Sequence, residues 1–323
     1  MLSLQQQRLV WRSSFFLLFI LAPPLDLLRL DLTLGHFILL GQNWTLGLES
    51  LVTGEVSPLH AAINLIWRAF IPLAIVVGGG IGVAWKYGRL YCGWLCPHFS
   101  VVEMINGLMR RASGKPTLWE AKPLPVELPN GKKIQPQRRY WLLVVIAIIG
   151  FAFLWGLTLL TYLLPPTEIY YNLWHGQLTR NQTIFLSVST TVFALEFLLA
   201  RHLFCRFGCA VGLFKSLAWM GNHQAMVVDF DRQRARLCAD CQSACDNACP
   251  MRLKPRSIKR KKFTCTQCAQ CISACAQVQI NHPQGSLLTW AQDEKALNTI
   301  GYDSKPGKYY PAHLMLTEPW KNK

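Results

Sequence analysis

The chain has 323 residues, 51% of them apolar, with 33 Lys and Arg against 17 Asp and Glu and a formal net charge of +16. Such a length admits one large or two moderate domains. Apolar and basic together leave two classes, a membrane protein with basic loops or a nucleic-acid binder with a large core. The apolar residues gather in runs, which favours the first class and excludes a nucleic-acid partner.

In chain order, the first run covers residues 15–30, after Arg8 and Arg12, and is broken by Pro23, Pro24, Asp26 and Arg29. No small-residue cleavage site follows it, so a retained span is expected rather than a signal peptide. The second, residues 61–85, holds one charge, Arg68, and the triplet Gly78, Gly79, Gly80. The third, residues 141–164, holds no charge and ends at Pro165-Pro166. About 20 such residues cross a bilayer as a helix. The fourth, residues 184–204, contains Glu196 and Arg201. The expected fold is mainly α, with four transmembrane helices.

Orientation follows from the loops, because Lys and Arg stay on the cytoplasmic side. Residues 31–60 contain neither, and residues 165–183 contain only Arg180. Between the second and third runs stand Lys86, Arg89, Arg110, Arg111, Lys115, Lys122, Lys132, Lys133, Arg138 and Arg139. Both termini and this loop are therefore expected in the cytoplasm of a bacterial inner-membrane protein. All twelve cysteines, from Cys92 onward, then face a reducing compartment, where thiolate–metal chemistry is expected rather than disulfides.

Eight of those cysteines form two runs. Cys265, Cys268, Cys271 and Cys275 have the C-x2-C-x2-C-x3-C spacing of bacterial ferredoxins. Cys238, Cys241, Cys245 and Cys249 differ by one extra residue between the second and third thiols. In that pattern the fourth cysteine of each run serves the other cluster. One 4Fe–4S cluster is expected on Cys238, Cys241, Cys245 and Cys275, the other on Cys265, Cys268, Cys271 and Cys249. A pair of zinc ribbons is the competing reading of C-x2-C pairs, and eight thiols in two four-membered runs fit it less well. The basic segment 251–262 between the runs compensates cluster and lipid charge. The expected domains are a membrane part over 1–221, an α+β ferredoxin domain over 222–280, and a tail over 281–323.

The remaining four cysteines sit in RLYCGWLCP and HLFCRFGCA, each after an apolar run. Leucine, an aromatic, then two cysteines four apart recur in register. The membrane part therefore reads as two hairpins in parallel repeat, which brings Cys92, Cys96, Cys205 and Cys209 to one depth. Three readings stay open for these thiols: a soft-metal site for copper(I), a further iron–sulfur centre, and a redox-active dithiol pair. His98 is a candidate second ligand. Glu196, a charge inside a span, is a candidate proton acceptor, and Arg68 is placed to snorkel. His60 and His175, near the outer surface, are candidates for haem ligation or for assisting a quinol.

Four spans, cysteine pairs after the second and fourth, and a two-cluster module resemble the membrane-bound polyferredoxins of the NapH, NosR and FixG (CcoG) type. The resemblance runs from about the second span to Ile280. Its C-x3-C-P motif is matched by Cys92, Cys96 and Pro97, while the second motif keeps Cys205 and Cys209 with Ala210 in the proline position. A FixG-like β-sandwich extension and the flavin-bearing domain of NosR are not expected, so by length the chain is nearest NapH. The resemblance implies electron transfer at the inner membrane within a respiratory or maturation complex. Quinol oxidation feeding a reductase is implied by the NapH likeness, and copper reduction during oxidase assembly by the FixG likeness.

Overall fold

The computed structural model describes residues 3–47, 51, 57–128, 131–238 and 241–300. In chain order the elements are α1 (Leu4–Leu21), β1 (Leu28–Asp31), β2 (His36–Leu39), β3 (Gln42–Trp44) and α2 (Pro58–Tyr87). The short α3 (Leu90–Trp94), α4 (Pro97–Ser113), α5 (Tyr140–Leu163), α6 (Pro166–His175), α7 (Arg180–Ala200) and α8 (Ala210–Gly221) follow. The last are β4 (Val227–Phe230), α9 (Ala244–Ala248), α10 (Gln270–Val278) and β5 (Leu288–Ala291). The chain divides into two compact units, one of residues 14–81 and 145–200, the other of 1–13, 82–144 and 201–323.

The first unit is built on apolar helices. Among the described residues, three helices, α2, α5 and α7, are long and apolar enough to cross a membrane. Their ends are specified locally. Ser57 caps α2 ahead of Pro58, and Thr179 and Gln182 form a reciprocal capping box at the start of α7. Large side chains such as Leu73, Val76, Leu142, Ile146, Val188 and Val192 stay exposed, an arrangement that suits lipid and not water. Gly156 lets α5 approach α7, since a Cβ there would meet Ser189 Oγ at 2.6 Å.

The expected first span is corrected. Residues 15–30 do not form one helix: α1 begins at Leu4 and stops at Leu21, and Leu28–Asp31 pairs with His36–Leu39 as β1 and β2. Pro23 and Pro24 bring no amide hydrogen and disfavour helix in the residue before them, so the helix ends there. Phe16 and Phe19 of α1 still pack on Trp155 and Tyr162 of α5, at ring separations of 5.2–5.6 Å. Arg68 does not reach for solvent alone. Its guanidinium donates to Thr45 O at 3.0 Å, from within a π-helical turn at Ile66–Phe70.

The second unit holds all twelve cysteines. β4 and β5 pair antiparallel, Val227 opposite Ala291, and α9 packs on α10. The sheet thus reaches beyond the expected domain edge at residue 280, because its second strand is Leu288–Ala291. Three apolar clusters fill the interior. One joins Trp219, Ala225, Val227, Ala291 and Ala296. Another joins Val228, Cys245, Cys271 and Leu288. In the third, Phe99, Cys205, Met251 and Leu253 carry Cys96, Cys249 and Cys265 at their margin. Glu103 of α4 fastens the start of α1, accepting from Arg8 at 2.5 Å and Arg12 at 2.6 Å.

Candidate functional site

Two small cavities lie in the cysteine-bearing unit. The inner one is lined by Cys249, Cys265, Cys268 and Cys271, with Val228, Met251 and Leu253. The outer one is lined by Cys238, Cys241, Cys245 and Cys275, with Phe230 and Leu288. Each cavity therefore takes three thiols from one run and the fourth from the other. The local cause is visible in the backbone. Gln242 and Ser243 in the first run, and Gln267 and Ala269 in the second, hold left-handed conformations that curl the chain around each cavity. The extra residue of the first run is absorbed at Gln242–Ser243, and all three of its thiols still line one cavity. The helices α9 and α10 then carry Cys249 and Cys275 across to the opposite cavity.

These residues fit a 4Fe–4S group by three observations. Burial pushes the Cys265 thiol up to about 11 and Cys249 up to about 12, and raises Cys245 and Cys271 as well. Such thiols keep their protons at neutral pH unless a metal displaces them. Among the described residues, no three His, Cys, Asp or Glu side chains close on a single ion. A cubane differs from a zinc site here, because each thiolate takes its own iron at a separate corner. Finally, cations are buried beside the inner cavity with no carboxylate hydrogen-bonded to them among the described residues. Arg89 and Lys262 are each 1% exposed. Arg89 donates to Cys205 O at 2.7 Å, while its Nε and Nη1 have no hydrogen-bond partner. Among the described residues Lys262 donates to the carbonyls of Val228 and Pro255. A buried charge left in this state is costly, and an anionic group in the cavity offsets it.

The other four cysteines also gather in this unit. Cys92 and Cys205 are buried, in α3 and in a π-helical turn at Phe204–Gly208. Cys96 and Cys209 are the N-caps of α4 and α8, in similar extended conformations with ψ of 116° and 105°. Pro97 and Ala210 occupy the same first helical position, so the loss of proline in the second motif changes residue type and not role. Cys96 lies within electrostatic reach of Cys92 and Cys209, and burial holds its thiol up at about 11. Gly212 N–H donates to Cys209 Sγ at 3.4 Å. Cys96 and Cys205 share an apolar cluster with Cys249 and Cys265, which joins this group to the inner cavity.

The remaining candidates stand elsewhere. His98 packs on Phe204 at 5.3 Å between ring centroids. Glu196 opens a π-helical turn at Glu196–Ala200, a distortion often found at functional positions. His60 meets Ser57 Oγ at 3.2 Å, and His175 meets Tyr171 O at 2.9 Å. Sequence reasoning passed over Arg89 and Glu103 as site residues. The available signal was Arg89 three residues before Cys92, the position His202 holds before Cys205.

Comparison with known proteins bears on the same segments. Residues 69–116 match a family described as a 4Fe-4S binding domain. That stretch contains Cys92 and Cys96 and ends before the eight downstream cysteines. NapH of Escherichia coli (strain K12), a ferredoxin-type protein, is 25% identical over 71% of this chain and 70% of its own length. The NapH-type polyferredoxins are relatives of this chain. NapH of Haemophilus influenzae is 24% identical over 71% of this chain and 72% of its own. YccM of Escherichia coli (strain K12), whose name assigns it provisionally to electron transport, is 27% identical over 77% of this chain. The match spans 61% of YccM, less than two thirds of that relative. No solved structure matches. The resemblance to NapH read from the cysteine motifs thus agrees with independent relatives.

Proposed function

We propose that this chain is an iron–sulfur electron-transfer protein of the bacterial inner membrane. It relays electrons between a quinol or cytoplasmic donor and a respiratory partner. The observation that carries the reading is the crossed lining of the two cavities, four cysteines each, three from one run and one from the other. The ferredoxin-type names of the NapH relatives support it. In this reading Cys249, Cys265, Cys268 and Cys271 hold one 4Fe–4S cluster, and Cys238, Cys241, Cys245 and Cys275 the other. The clusters supply the one-electron carrier. The chain's own residues set solvent exclusion and charge. Leu253 N–H donates to Cys249 Sγ at 3.3 Å and Leu287 N–H to Cys275 Sγ at 3.4 Å, bonds that favour thiolate charge and tune potential.

Cys92, Cys96, Cys205 and Cys209 form a further thiolate site in this proposal. An iron–sulfur role is supported by the family match at 69–116, which contains two cysteines where a cubane needs four. Copper binding for oxidase or reductase assembly is the alternative, and Glu196 serves as proton acceptor if quinol is oxidised. The chain crosses the membrane four times as two parallel hairpins, with both termini in the cytoplasm.

Anaerobic purification followed by iron, sulfide, copper and zinc analysis tests this. About eight irons per chain are expected from the two cavities alone. Iron above that, lost in a Cys92→Ser, Cys205→Ser double variant, marks the membrane-edge thiols as a third centre. Stoichiometric copper lost in the same variant favours the assembly role. A zinc-loaded, iron-free protein overturns the proposal.

A further inference from the structure

The two cavities sit in unlike electrostatic surroundings. Lys262 lines the inner cavity; Arg8, Arg12 and Glu103 act on its Cys268, Arg89 acts on its Cys265, and Asp229 and Arg232 face Lys262. Arg8 and Arg12 share the single carboxylate of Glu103, which leaves one positive charge beside Cys268. Arg89 and Lys262 act on Cys265, and among the described residues no carboxylate is hydrogen-bonded to either. Asp229 also faces Lys262, and Arg232 faces Asp229, so that pair is close to neutral. The balance is about three positive charges. Beside the outer cavity, Arg256 faces Cys238 and Cys245 but is paired to Asp246 at 2.9 Å, and Asp246 itself faces Cys245. That balance is about zero.

From this asymmetry we infer that the inner site, Cys249, Cys265, Cys268 and Cys271, is the higher-potential of the two, with Arg89 and Lys262 as the residues that raise it. The inference rests on the reading that the eight cysteines hold two clusters. One-electron reduction adds one negative charge and changes no bond. A buried cation stabilises that added charge more than it stabilises the oxidised form, because little water screens the interaction. Arg89 is well placed for this. Its guanidinium is fixed through Nη2 to Cys205 O, and Gly212 has no side chain where a Cβ would strike that nitrogen. Lys262 approaches from the opposite stretch of chain, beside Cys265 and Cys271. An electron that reaches the outer site therefore moves downhill to the inner one, leaving the outer site oxidised. It comes to rest beside the apolar cluster that contains Cys96 and Cys205. The two sites adjoin through Cys245 and Cys271, which pack in one cluster.

The test is a dithionite redox titration of the full chain, purified anaerobically in detergent and followed by electron paramagnetic resonance. Cys265→Ser and Cys241→Ser variants assign the inner and outer signals. In the wild type the inner signal is expected to appear first. Arg89→Gln is expected to lower the inner reduction constant at least tenfold, about 59 mV for a one-electron couple, while the outer signal stays put. Arg89→Lys is expected to restore most of the shift, and Arg256→Gln to move only the outer signal. If Arg89→Gln does not fold, Lys262→Gln carries the same expectation for the inner signal. Full iron with equal potentials, with the outer site reduced first, or with no shift in either charge variant overturns the inference. Wild-type protein lacking the iron for two clusters overturns the reading beneath it instead.

Discussion

At the scale of single residues, close backbone approach governs the thiol-rich region. Gly93 lies between Cys92 and Cys96, and a Cβ built on it would collide with the carbonyl oxygen of Thr266, next to the backbone of Cys268. The same contact is fastened on both sides. Arg8 Nε donates to Gly93 O at 2.7 Å, and Trp94 Nε1 donates to Gln267 O at 3.0 Å. Thr266 is backbone in a tight loop, so it has no rotamer with which to yield. Gly93→Ala is expected to cost about 1–3 kcal/mol and to weaken iron retention at the inner site. Gly107 in α4 is the matched control, since nothing lies within 4 Å of its added Cβ. Gly107→Ala is expected to be neutral or stabilising by up to about 1 kcal/mol. Thermal denaturation and iron analysis of both variants check the pair, and equal behaviour would refute the contact.

At the scale of elements, the start of α1 is held by charge and not by an apolar face. Arg8 is 2% exposed and is neutralised by Glu103, whose carboxylate also takes Arg12 and Gln270. One carboxylate thus joins α1, α4 and α10. Removing it leaves a buried guanidinium unpaired, and such losses cost about 3–5 kcal/mol. Glu103→Gln is expected to lower the denaturation midpoint strongly, whereas a Glu103→Gln, Arg8→Met double variant recovers part of the loss. A double variant no more stable than the single one would show that Arg8 does not depend on Glu103. None of this was legible in the sequence, where Arg8 and Glu103 are 95 residues apart. The gathering of the two cysteine runs was legible because the ferredoxin spacing takes three thiols from one short stretch and the fourth from the other run, and the two cavities are lined in that way. The antiparallel β1–β2–β3 ribbon was not anticipated either. Its turns at Gly35 and Gly41 need left-handed backbone, yet the strands are four residues or fewer and follow an apolar run that masks them.

At the scale of the whole molecule, the question is how many times the chain crosses. On the proposed orientation residues 86–139 lie in the cytoplasm, and α5 runs outward from Tyr140 to Leu163. Within the apolar unit, α1 runs alongside α5 in the same direction. Phe16 meets Phe151 and Trp155, while Phe19 meets Trp155 and Tyr162, so both helices advance together. Beyond α1, Leu32 N–H bonds to Leu163 O, at the far end of α5. Only residues 14–21 of α1 belong to the apolar unit, about 12 Å of helix against a hydrocarbon thickness of about 30 Å, because Arg8 and Arg12 are held by Glu103 in the other unit. The proposed four-crossing arrangement takes α1 and α5 as outward and α2 and α7 as returning, although α1, diluted by Gln5, Gln6, Gln7, Arg8 and Arg12, is not among the three helices apolar enough to cross among the described residues. Reporter insertions decide it. Alkaline phosphatase placed at Gly35 and at Gly176 is expected to be active outside, and a fluorescent protein placed at Lys133 is expected to be bright inside. A reporter at Ser3 separates four crossings from three and is expected inside; alkaline phosphatase active at Ser3 as well as at Gly35 and Gly176 would leave three crossings and remove the parallel-hairpin symmetry that relates Cys92 and Cys96 to Cys205 and Cys209.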